Sequence, residues 1–204
     1  MDLSPLQDNA LTTALLFAAA YLGGSISSAI LVCRLFGLPD PRTEGSQNPG
    51  ATNVMRLGGK PAAALTLLGD VLKGVIPVLV AHYLSLGPLI AALAGFFAFL
   101  GHLLPVFFQF RGGKGVATAF GLLFALQWAI GLATGVIWVT VFVATRISSL
   151  ASMLSFIAMP VFVWLWLPAA LPALLLMTIV LLGRHHSNIR KLLTGEELGF
   201  KKKK

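Results

Sequence analysis

Two glycine-rich segments contain most of the side chains in this sequence that are suited to binding or catalysis. The first extends from Gly45 to Asn53 and places hydroxyl and amide groups around an Asn-Pro-Gly turn. The second, Gly112–Gly115, places an ammonium group on a glycine turn. Glycine lets successive backbone N–H groups point toward one centre, and such clusters bind anions, phosphate above all. The two segments therefore predict two binding sites for phosphorylated molecules.

The first glycine loop (Gly45–Asn53) is rich in groups that bind phosphate oxygens. Its hydroxyl and amide side chains belong to Ser46, Asn48, Thr52 and Asn53. Arg56 follows three residues after Asn53, so a helix that begins at Thr52 would place the guanidinium on the same face. A turn with helix-capping residues is the alternative, but it does not explain so many polar groups between two hydrophobic segments.

The second glycine loop (Gly112–Gly115) places Lys114 just before a hydrophobic segment. If that segment is a helix, its N-terminal N–H groups, its dipole and the ammonium form an anion site. The residue spacing of a nucleotide-binding P-loop is absent, which disfavours ATP as a ligand. His102, ten residues upstream of Gly112, is open to a structural or a functional interpretation.

Polar residues elsewhere suggest one ion pair and one polar helix face. Asp70 and Lys73 lie three residues apart in a hydrophobic segment and are predicted to form a structural ion pair. His185 and Asn188 project together if the chain is helical there. The neighbouring pair His185 and His186 indicates a metal only weakly, because no cysteine and few carboxylates accompany it. We therefore predict no metal and no other cofactor.

The composition is that of a membrane protein. Of the 204 residues, 57% are hydrophobic and only 11% are charged, whereas a soluble domain of this size needs a more charged surface. The chain is therefore predicted to be an all-α polytopic integral membrane protein with a single membrane-embedded domain, residues 1–204, and a basic tail, Lys201–Lys204. The net charge of +8 favours membrane lipids with anionic head groups, or anionic substrates, as partners. Nucleic acid is not a predicted partner, because no basic helix stands apart from the hydrophobic segments.

The hydrophobic segments predict seven transmembrane helices. The apolar stretches are Leu11–Cys33, Pro61–Tyr83, Gly87–Leu104, Val116–Thr145 and Leu150–Gly183. About 20 helical residues cross a bilayer, so the last two stretches are each long enough to be divided into two helices. The divisions are expected near Gln127 and at Pro168 and Pro172, because proline interrupts a helix.

The distribution of Lys and Arg predicts the orientation of the chain. The N-terminus and the tips near Ser85, Gln127 and Pro168 carry no Lys or Arg, which gather at the opposite ends of the spans. By the positive-inside rule the N-terminus is outside and the C-terminus is cytoplasmic. Both glycine loops, the Arg146–Ser149 turn and the C-terminal segment then share the cytoplasmic face. No basic residue precedes the first apolar stretch, which predicts a retained span and not a signal peptide.

The motifs, taken in order, resemble those of a known family. They are Gly-Ser-x-Asn-Pro-Gly-Ala-Thr-Asn from Gly45, Gly-His with Pro-Val-Phe and Gly-Gly-Lys-Gly-Val-Ala-Thr between Gly101 and Thr118, Ser-Ser-Leu after Arg146, and Arg-His-x-x-Asn-Ile from Arg184. This combination spans nearly the whole chain and resembles the bacterial membrane glycerol-3-phosphate acyltransferases of the PlsY family. Two positions depart from the family pattern: Gln47 stands where glycine is usual, and Ala151 where Ser-Leu-Gly-Ser is common.

The resemblance implies an enzyme of the bacterial inner membrane whose active site is on the cytoplasmic face. It would transfer a fatty acyl group from acyl-phosphate to the sn-1 hydroxyl of glycerol-3-phosphate, giving lysophosphatidic acid and phosphate for phospholipid synthesis. By position, the resemblance implies catalytic roles for Lys114, His185, Ser149 and Arg56, and substrate binding by Ser46, Asn48, Thr52, Asn53, Gly113 and Asn188. The His-x4-Asp pair of acyl-CoA-dependent acyltransferases does not occur in the chain, so a thioester donor is not implied.

Two alternatives stay open at the level of sequence. Either His185 or the phosphate of the donor takes the proton of the attacking hydroxyl.

The alternative function is a membrane transporter of phosphate or another small anion, in which the same loops bind and release an unmodified solute. Such transporters more naturally have related halves with paired broken helices, and a membrane phosphatase needs histidines clustered with a carboxylate. Neither pattern is found in this sequence.

Labelling of introduced cysteines tests the predicted orientation. Because Lys and Arg gather on one side of the spans, we expect Ser46→Cys, Lys114→Cys and Ser187→Cys to react with a membrane-impermeant thiol reagent only from the cytoplasmic side. Asp2→Cys should react only from outside. Labelling of any of these positions from the opposite side would contradict the arrangement in which the loops share one face.

Overall fold

The computed structural model describes residues 10–200, and in this range the regular secondary structure is helical. The helices are α1 (Ala10–Gly24), α2 (Ser28–Leu35), α3 (Ala51–Tyr83), α4 (Gly87–Leu103), α5 (Val116–Leu126), α6 (Trp128–Thr145), α7 (Ser148–Trp166), α8 (Leu171–Arg184) and α9 (His186–Leu193). Short 3-10 turns lie at Val106–Phe108 and Pro168–Ala170. The all-α prediction is confirmed, while Asp2 and the tail Lys201–Lys204 lie outside the described residues.

Five segments are long and apolar enough to cross a membrane. They are Ala10–Leu35, Ala51–Tyr83, Gly87–Phe108, Trp128–Thr145 and Ser148–Trp166. A sixth candidate arises only if α8 and α9, which are bent by 52° relative to each other, are counted as one span. The apolar stretches form helices and divide at Gln127 and Pro168 as predicted, but the count of seven spans is not confirmed. α5 has 11 residues, well short of the roughly 20 that cross a bilayer.

α9 differs from the preceding helices in its polarity. Arg190 and Lys191 lie on it and are exposed. Cations at the end of an apolar helix reach the polar region of a bilayer, and an amphipathic helix lies along that region. The hydrophobic part of the chain therefore ends with α8 at Arg184, and α9 follows at the surface.

Two of the predicted spans are interrupted. The first apolar stretch breaks between α1 and α2, where Ser27 caps α2 by accepting a bond from Ile30 N–H. α3 contains a kink at Gly59, whose φ of 71° and ψ of −165° are not helical, and Pro61 restarts the helix. Glycine adopts this conformation without the steric cost that a side chain brings. The kink separates a short helical segment, residues 51–58, from the rest of α3, so Arg56 lies on a helix.

Glycines set the distance and register between α3 and α5. A Cβ atom on Gly74 would lie 2.0 Å from Thr118 O, and one on Gly121 would lie 2.1 Å from Val71 O. Small residues at such crossings let membrane helices pack with their backbones in contact. Because Gly74 lies well along α3, α5 begins beside the middle of that helix and not beside its end. The second glycine loop therefore lies between helices, which accounts for the short length of α5.

The main hydrophobic core connects the helices that carry the predicted site residues. Phe99 of α4, Leu122 of α5, Phe156 of α7 and Met177 of α8 are fully buried in one cluster. In a bilayer, where lipid tails are as apolar as these side chains, close van der Waals packing stabilises such a cluster. The core thus packs α7 and α8 against α4 and α5, the helices on either side of the second glycine loop.

Candidate active site

The first glycine loop folds around Asn53. This amide is fully buried, accepts a bond from Ser46 N–H over 2.9 Å, and donates to the carbonyls of Pro41 and Glu44 over 3.0 Å each. All of these bonds are internal to the loop region. Asn53 therefore shapes the loop through internal bonds.

One departure from the family pattern falls at a position with a left-handed backbone. Gln47 adopts a φ of 56°, in the left-handed region that glycine enters without a penalty. The backbone at this position is thus the kind that a glycine suits. The other departure, Ala151, is a fully buried residue of α7.

The second glycine loop is held by three hydrogen bonds. Gly113 N–H donates to His102 O over 3.1 Å, and the Arg184 guanidinium donates to the carbonyls of Gly112 and Gly113 over 3.1 and 3.2 Å. A Cβ atom on Gly113 would lie 2.3 Å from His102 Nε2 and 3.0 Å from Pro49 O. The two glycine loops therefore touch at Gly113, where no larger residue fits.

A cavity of about 1160 Å³ brings most of the predicted site residues together. Its wall includes Ser46, Asn48, Thr52, Arg56, Lys114, Ser149, His185 and Asn188. Both glycine loops, the start of α7 and the C-terminal segment contribute to this wall, so the four segments that were predicted to share one face line one cavity. Asn53 and Gly113 are not on the wall. They support it from behind.

Cations outnumber carboxylates along the cavity wall. The Lys and Arg residues on it are Arg56, Lys60, Lys114, Arg184 and Lys191, and the acidic residues are Asp70 and Glu197. Asp70 pairs with Lys73 over 2.8 Å, as predicted, so its charge is already matched. The remaining excess of positive charge makes the cavity suited to anions.

Lys114 lies at the centre of a polar cluster. Its ammonium donates to Asn188 Oδ1, while Asn188 Nδ2 donates to Glu197 Oε1 over 2.6 Å. Ser149 Oγ donates to the same oxygen over 2.5 Å. Burial lowers the pKa of Lys114 to about 8, and the negative charge of Glu197 partly offsets this effect. The side chain is therefore close to its titration point at neutral to mildly basic pH.

His185 is held as a neutral imidazole. The side chain is only 1% exposed at the junction of α8 and α9, and its Nδ1 lies 2.8 Å from Leu181 O. A carbonyl oxygen only accepts, so Nδ1 carries the proton and Nε2 is the free acceptor. Burial lowers the pKa of His185 to about 4, because the charged imidazolium loses its hydration. His185 is therefore suited to accept a hydrogen bond and is a weak base.

The C-terminal segment closes one side of the cavity. Arg56 donates to Leu198 O over 3.0 Å and stacks on the Phe200 ring at 5.1 Å, and Glu197 binds Ser149 and Asn188 as described above. Sequence reasoning missed these contacts. The available signal was that Glu197 is one of only seven acidic residues in a strongly basic chain.

An apolar groove continues from the polar end of the cavity. It is lined by Leu67 of α3, Phe120 and Phe124 of α5, and Val136 and Val139 of α6. Leu67, Phe124, Val136 and Val139 are each about half exposed, so the groove opens on the outer surface of the helices. Such a surface is suited to a hydrocarbon chain. Within residues 10–200, no group of three or more His, Cys, Asp or Glu residues is arranged to hold a metal ion.

Comparison with known proteins gives the family. The family described as glycerol-3-phosphate acyltransferase matches residues 14–195. The chain belongs to the glycerol-3-phosphate acyltransferase family. Among relatives bearing that name, the protein of Methylococcus capsulatus is 55% identical over 92% of this chain and 97% of its own length. The protein of Thioalkalivibrio sulfidiphilus is 53% identical over 89% of this chain and 91% of its own.

The fold agrees with that of a solved family member. The crystal structure of PlsY, an integral membrane glycerol 3-phosphate acyltransferase, in its glycerol 3-phosphate form, has a TM-score of 0.89 and 38% identity, and the alignment covers 93% of this chain and 96% of that one. The lysophosphatidic acid form has a TM-score of 0.86 and 36% identity. This glycerol-3-phosphate acyltransferase family member is an integral membrane protein. Glu197, Leu198 and Phe200 lie beyond the residues that the family description matches.

The pKa of Lys114 is open to a direct test. We expect its amine to titrate near pH 8, and we expect Glu197→Gln to lower the pKa further, because the substitution removes a negative charge that favours the ammonium. The pH dependence of Lys114 modification by an amine-reactive reagent, read by mass spectrometry, gives the pKa of Lys114 in the wild type and in the variant. Glu196→Gln, at the exposed neighbouring carboxylate, is the matched control and should leave the pKa unchanged. A raised pKa in Glu197→Gln would contradict the assignment.

Proposed function

We propose that this protein transfers a fatty acyl group from acyl-phosphate to the sn-1 hydroxyl of glycerol-3-phosphate, giving lysophosphatidic acid and phosphate in phospholipid synthesis. One observation carries the proposal: a single cavity joins two glycine loops and an excess of cations to an apolar groove. The names of the relatives favour an acyltransferase over the alternative of an anion transporter.

The polar end of the cavity is suited to two phosphate groups. Lys114 and the N-terminus of α5 offer one site, and Arg56 and the N-terminus of α3 offer another, because helix N-termini present free N–H groups to anions. Ser149 and Asn188 converge on one carboxylate oxygen of Glu197, so the pair is able to hold an anionic oxygen of a substrate. Ser46, Asn48 and Thr52 add polar groups around the second site.

The apolar groove supports a lipid-like donor. An acyl-phosphate has a hydrocarbon chain and one anionic head, which matches a groove that is open at the helix surface and ends at cations. The nucleotide part of acyl-CoA would need a further binding surface, and the His-x4-Asp dyad of acyl-CoA-dependent enzymes is absent from the chain. These two points favour acyl-phosphate over a thioester donor.

The reaction forms one bond and breaks one bond. The sn-1 hydroxyl oxygen bonds to the acyl carbonyl carbon, and the bond between that carbon and the phosphate oxygen breaks. The departing phosphate gains negative charge and becomes the better proton acceptor, so it leaves with the hydroxyl proton. His185, with a pKa of about 4, accepts a hydrogen bond at Nε2 from the sn-2 hydroxyl of glycerol-3-phosphate, which orients the substrate and leaves the sn-1 proton to the phosphate. Lys114 and Arg56 stabilise the charge on the phosphate.

The orientation in the membrane forms part of the proposal. The cations of the cavity lie at the end of the helices where Lys and Arg gather, and the positive-inside rule assigns this end to the cytoplasm. We propose a bacterial inner-membrane protein with an outside N-terminus, a cytoplasmic C-terminus and a cytoplasmic active site. Glycerol-3-phosphate, a water-soluble anion, would then enter from the cytoplasm, and acyl-phosphate from the membrane.

Donor dependence tests the proposed function. Purified protein is expected to consume acyl-phosphate and glycerol-3-phosphate together, releasing equal amounts of phosphate and lysophosphatidic acid. Lys114→Ala and Arg56→Ala should each lower kcat/KM at least about tenfold, because each removes charge-assisted bonds to phosphate. Arg190→Ala, an exposed cation away from the cavity wall, serves as the control. Equal turnover with acyl-CoA or acyl carrier protein would rule out the proposed donor.

The variant His185→Asn separates the two candidate bases. Because His185 stays neutral down to a pH of about 4, its protonation should not shape the activity profile in the ordinary histidine range. We expect the variant to raise the KM for glycerol-3-phosphate and to keep the shape of the pH profile. A drop in kcat on the order of a hundredfold, with loss of an acid-side ionisation, would instead make His185 the base. His82→Asn, at the far end of α3, is the control.

A further inference from the structure

Three ionisable side chains that have no catalytic or substrate-binding role assigned above meet between α3 and α4. Asp70 Oδ1 accepts a bond from Lys73 Nζ over 2.8 Å and lies 3.5 Å from His102 Nδ1. Asp70 and His102 are 2% and 7% exposed, and both reach the cavity wall. Charges within membrane helices are costly and typically serve a function. Lys73 alone would balance Asp70, so the contact with His102 calls for a separate explanation.

His102 connects Asp70 to the second glycine loop through both its backbone and its ring. Its carbonyl accepts the Gly113 N–H bond, and its Nε2 atom lies against Gly113, at a place where even a Cβ atom would come within 2.3 Å. Gly113 directly precedes Lys114. A rotation of the ring would therefore either press on this glycine or leave a gap beside it, and in both cases the start of the Lys114 backbone would move.

Asp70 limits that rotation. A carboxylate opposite Nδ1 favours the tautomer with a proton on Nδ1 and fixes the plane of the imidazole, as a carboxylate does for a histidine in other sites. Lys73 in turn holds the carboxylate in place from the same helix. The chain of contacts therefore runs from Lys73 through Asp70 and His102 to Gly113.

We infer that Asp70 and His102 are positioning residues that set the location of the Lys114 ammonium. The carboxylate fixes the imidazole, the imidazole fixes the glycine turn, and the turn fixes the backbone of Lys114. This inference rests on the proposed function only in that Lys114 is taken to hold a substrate phosphate. Functional groups held by well-supported neighbours keep the sub-ångström placement that catalysis requires.

Two substitutions at His102 separate its contact with Asp70 from its contact with Gly113. His102→Asn keeps an N–H donor toward Asp70 and removes the ring that packs on Gly113, whereas His102→Phe keeps the ring and removes the donor. Both are expected to raise the KM for glycerol-3-phosphate about tenfold with a smaller change in kcat, since residues in one contact network are coupled at this level. His82→Phe is the matched control. A wild-type KM in His102→Asn would overturn the role of the ring against Gly113, and a wild-type KM in His102→Phe would overturn the role of the contact with Asp70.

A double-mutant cycle shows whether His102 acts through Lys114. If it does, His102→Phe should raise the KM about tenfold in the wild-type background and add little in a Lys114→Met background. A merely structural residue would give the same fold-change in both, and this outcome would overturn the inference. Should His102→Phe not fold, His102→Asn replaces it in the cycle. The charge-neutral pair Asp70→Asn with Lys73→Met provides a third route, with the same expectation.

The titration of Lys114 gives a readout that needs no turnover. Displacement of the ammonium changes its burial and its distance from Glu197, so the pH dependence of Lys114 modification should shift in His102→Phe and in His102→Asn, but not in His82→Phe. If the wild type fails to use acyl-phosphate while this shift is seen, the proposed function is wrong and the positioning role stands. An unchanged titration in folded His102 variants would refute the positioning role, whatever the activity.

Discussion

Gly113, in the second glycine loop, is buried between helices, so its backbone N–H and C=O groups need protein partners. The His102 carbonyl accepts the Gly113 N–H, and the Arg184 guanidinium binds the carbonyls of both leading glycines. These bonds orient the start of α5 and the backbone of Lys114. Lys114 in turn contacts Asn188, which joins the second glycine loop to α9 and, through Glu197, to the C-terminal segment.

Electrostatics in the cavity follow from the same partial burial. Lys114 loses hydration, which moves its pKa toward neutrality, and the carboxylate of Glu197 compensates only in part. His185 loses hydration as well and remains an uncharged acceptor. An anionic substrate would supply the charge that the wall lacks. Phosphate binding and the protonation of Lys114 are therefore expected to be coupled, since each favours the other.

Helix packing explains how a polar cavity and an apolar groove come to lie side by side. Backbone contact at Gly74 and Gly121 places α5 alongside the middle of α3. The polar loop before α5 is thereby brought to the level of Asp70, and the side chains of α5 that follow it, among them Phe120 and Phe124, face the groove. A shift of α5 by one turn would move the ammonium away from its partners and shorten the apolar wall.

Local sequence was enough to determine the helical class, the breaks at Gln127 and Pro168, and the pairing of Asp70 with Lys73. Each of these depends on residues that are close in the chain, through hydrophobic periodicity, turn chemistry or helical spacing. Only the tertiary structure decided that Asn53 and Gly113 support the cavity from behind, and that the C-terminal segment completes it. Arg56 and Leu198 are 142 positions apart, and their contact depends on how every intervening helix packs. Short-range rules do not determine that packing, because its register is set by side-chain shape at many crossings at once.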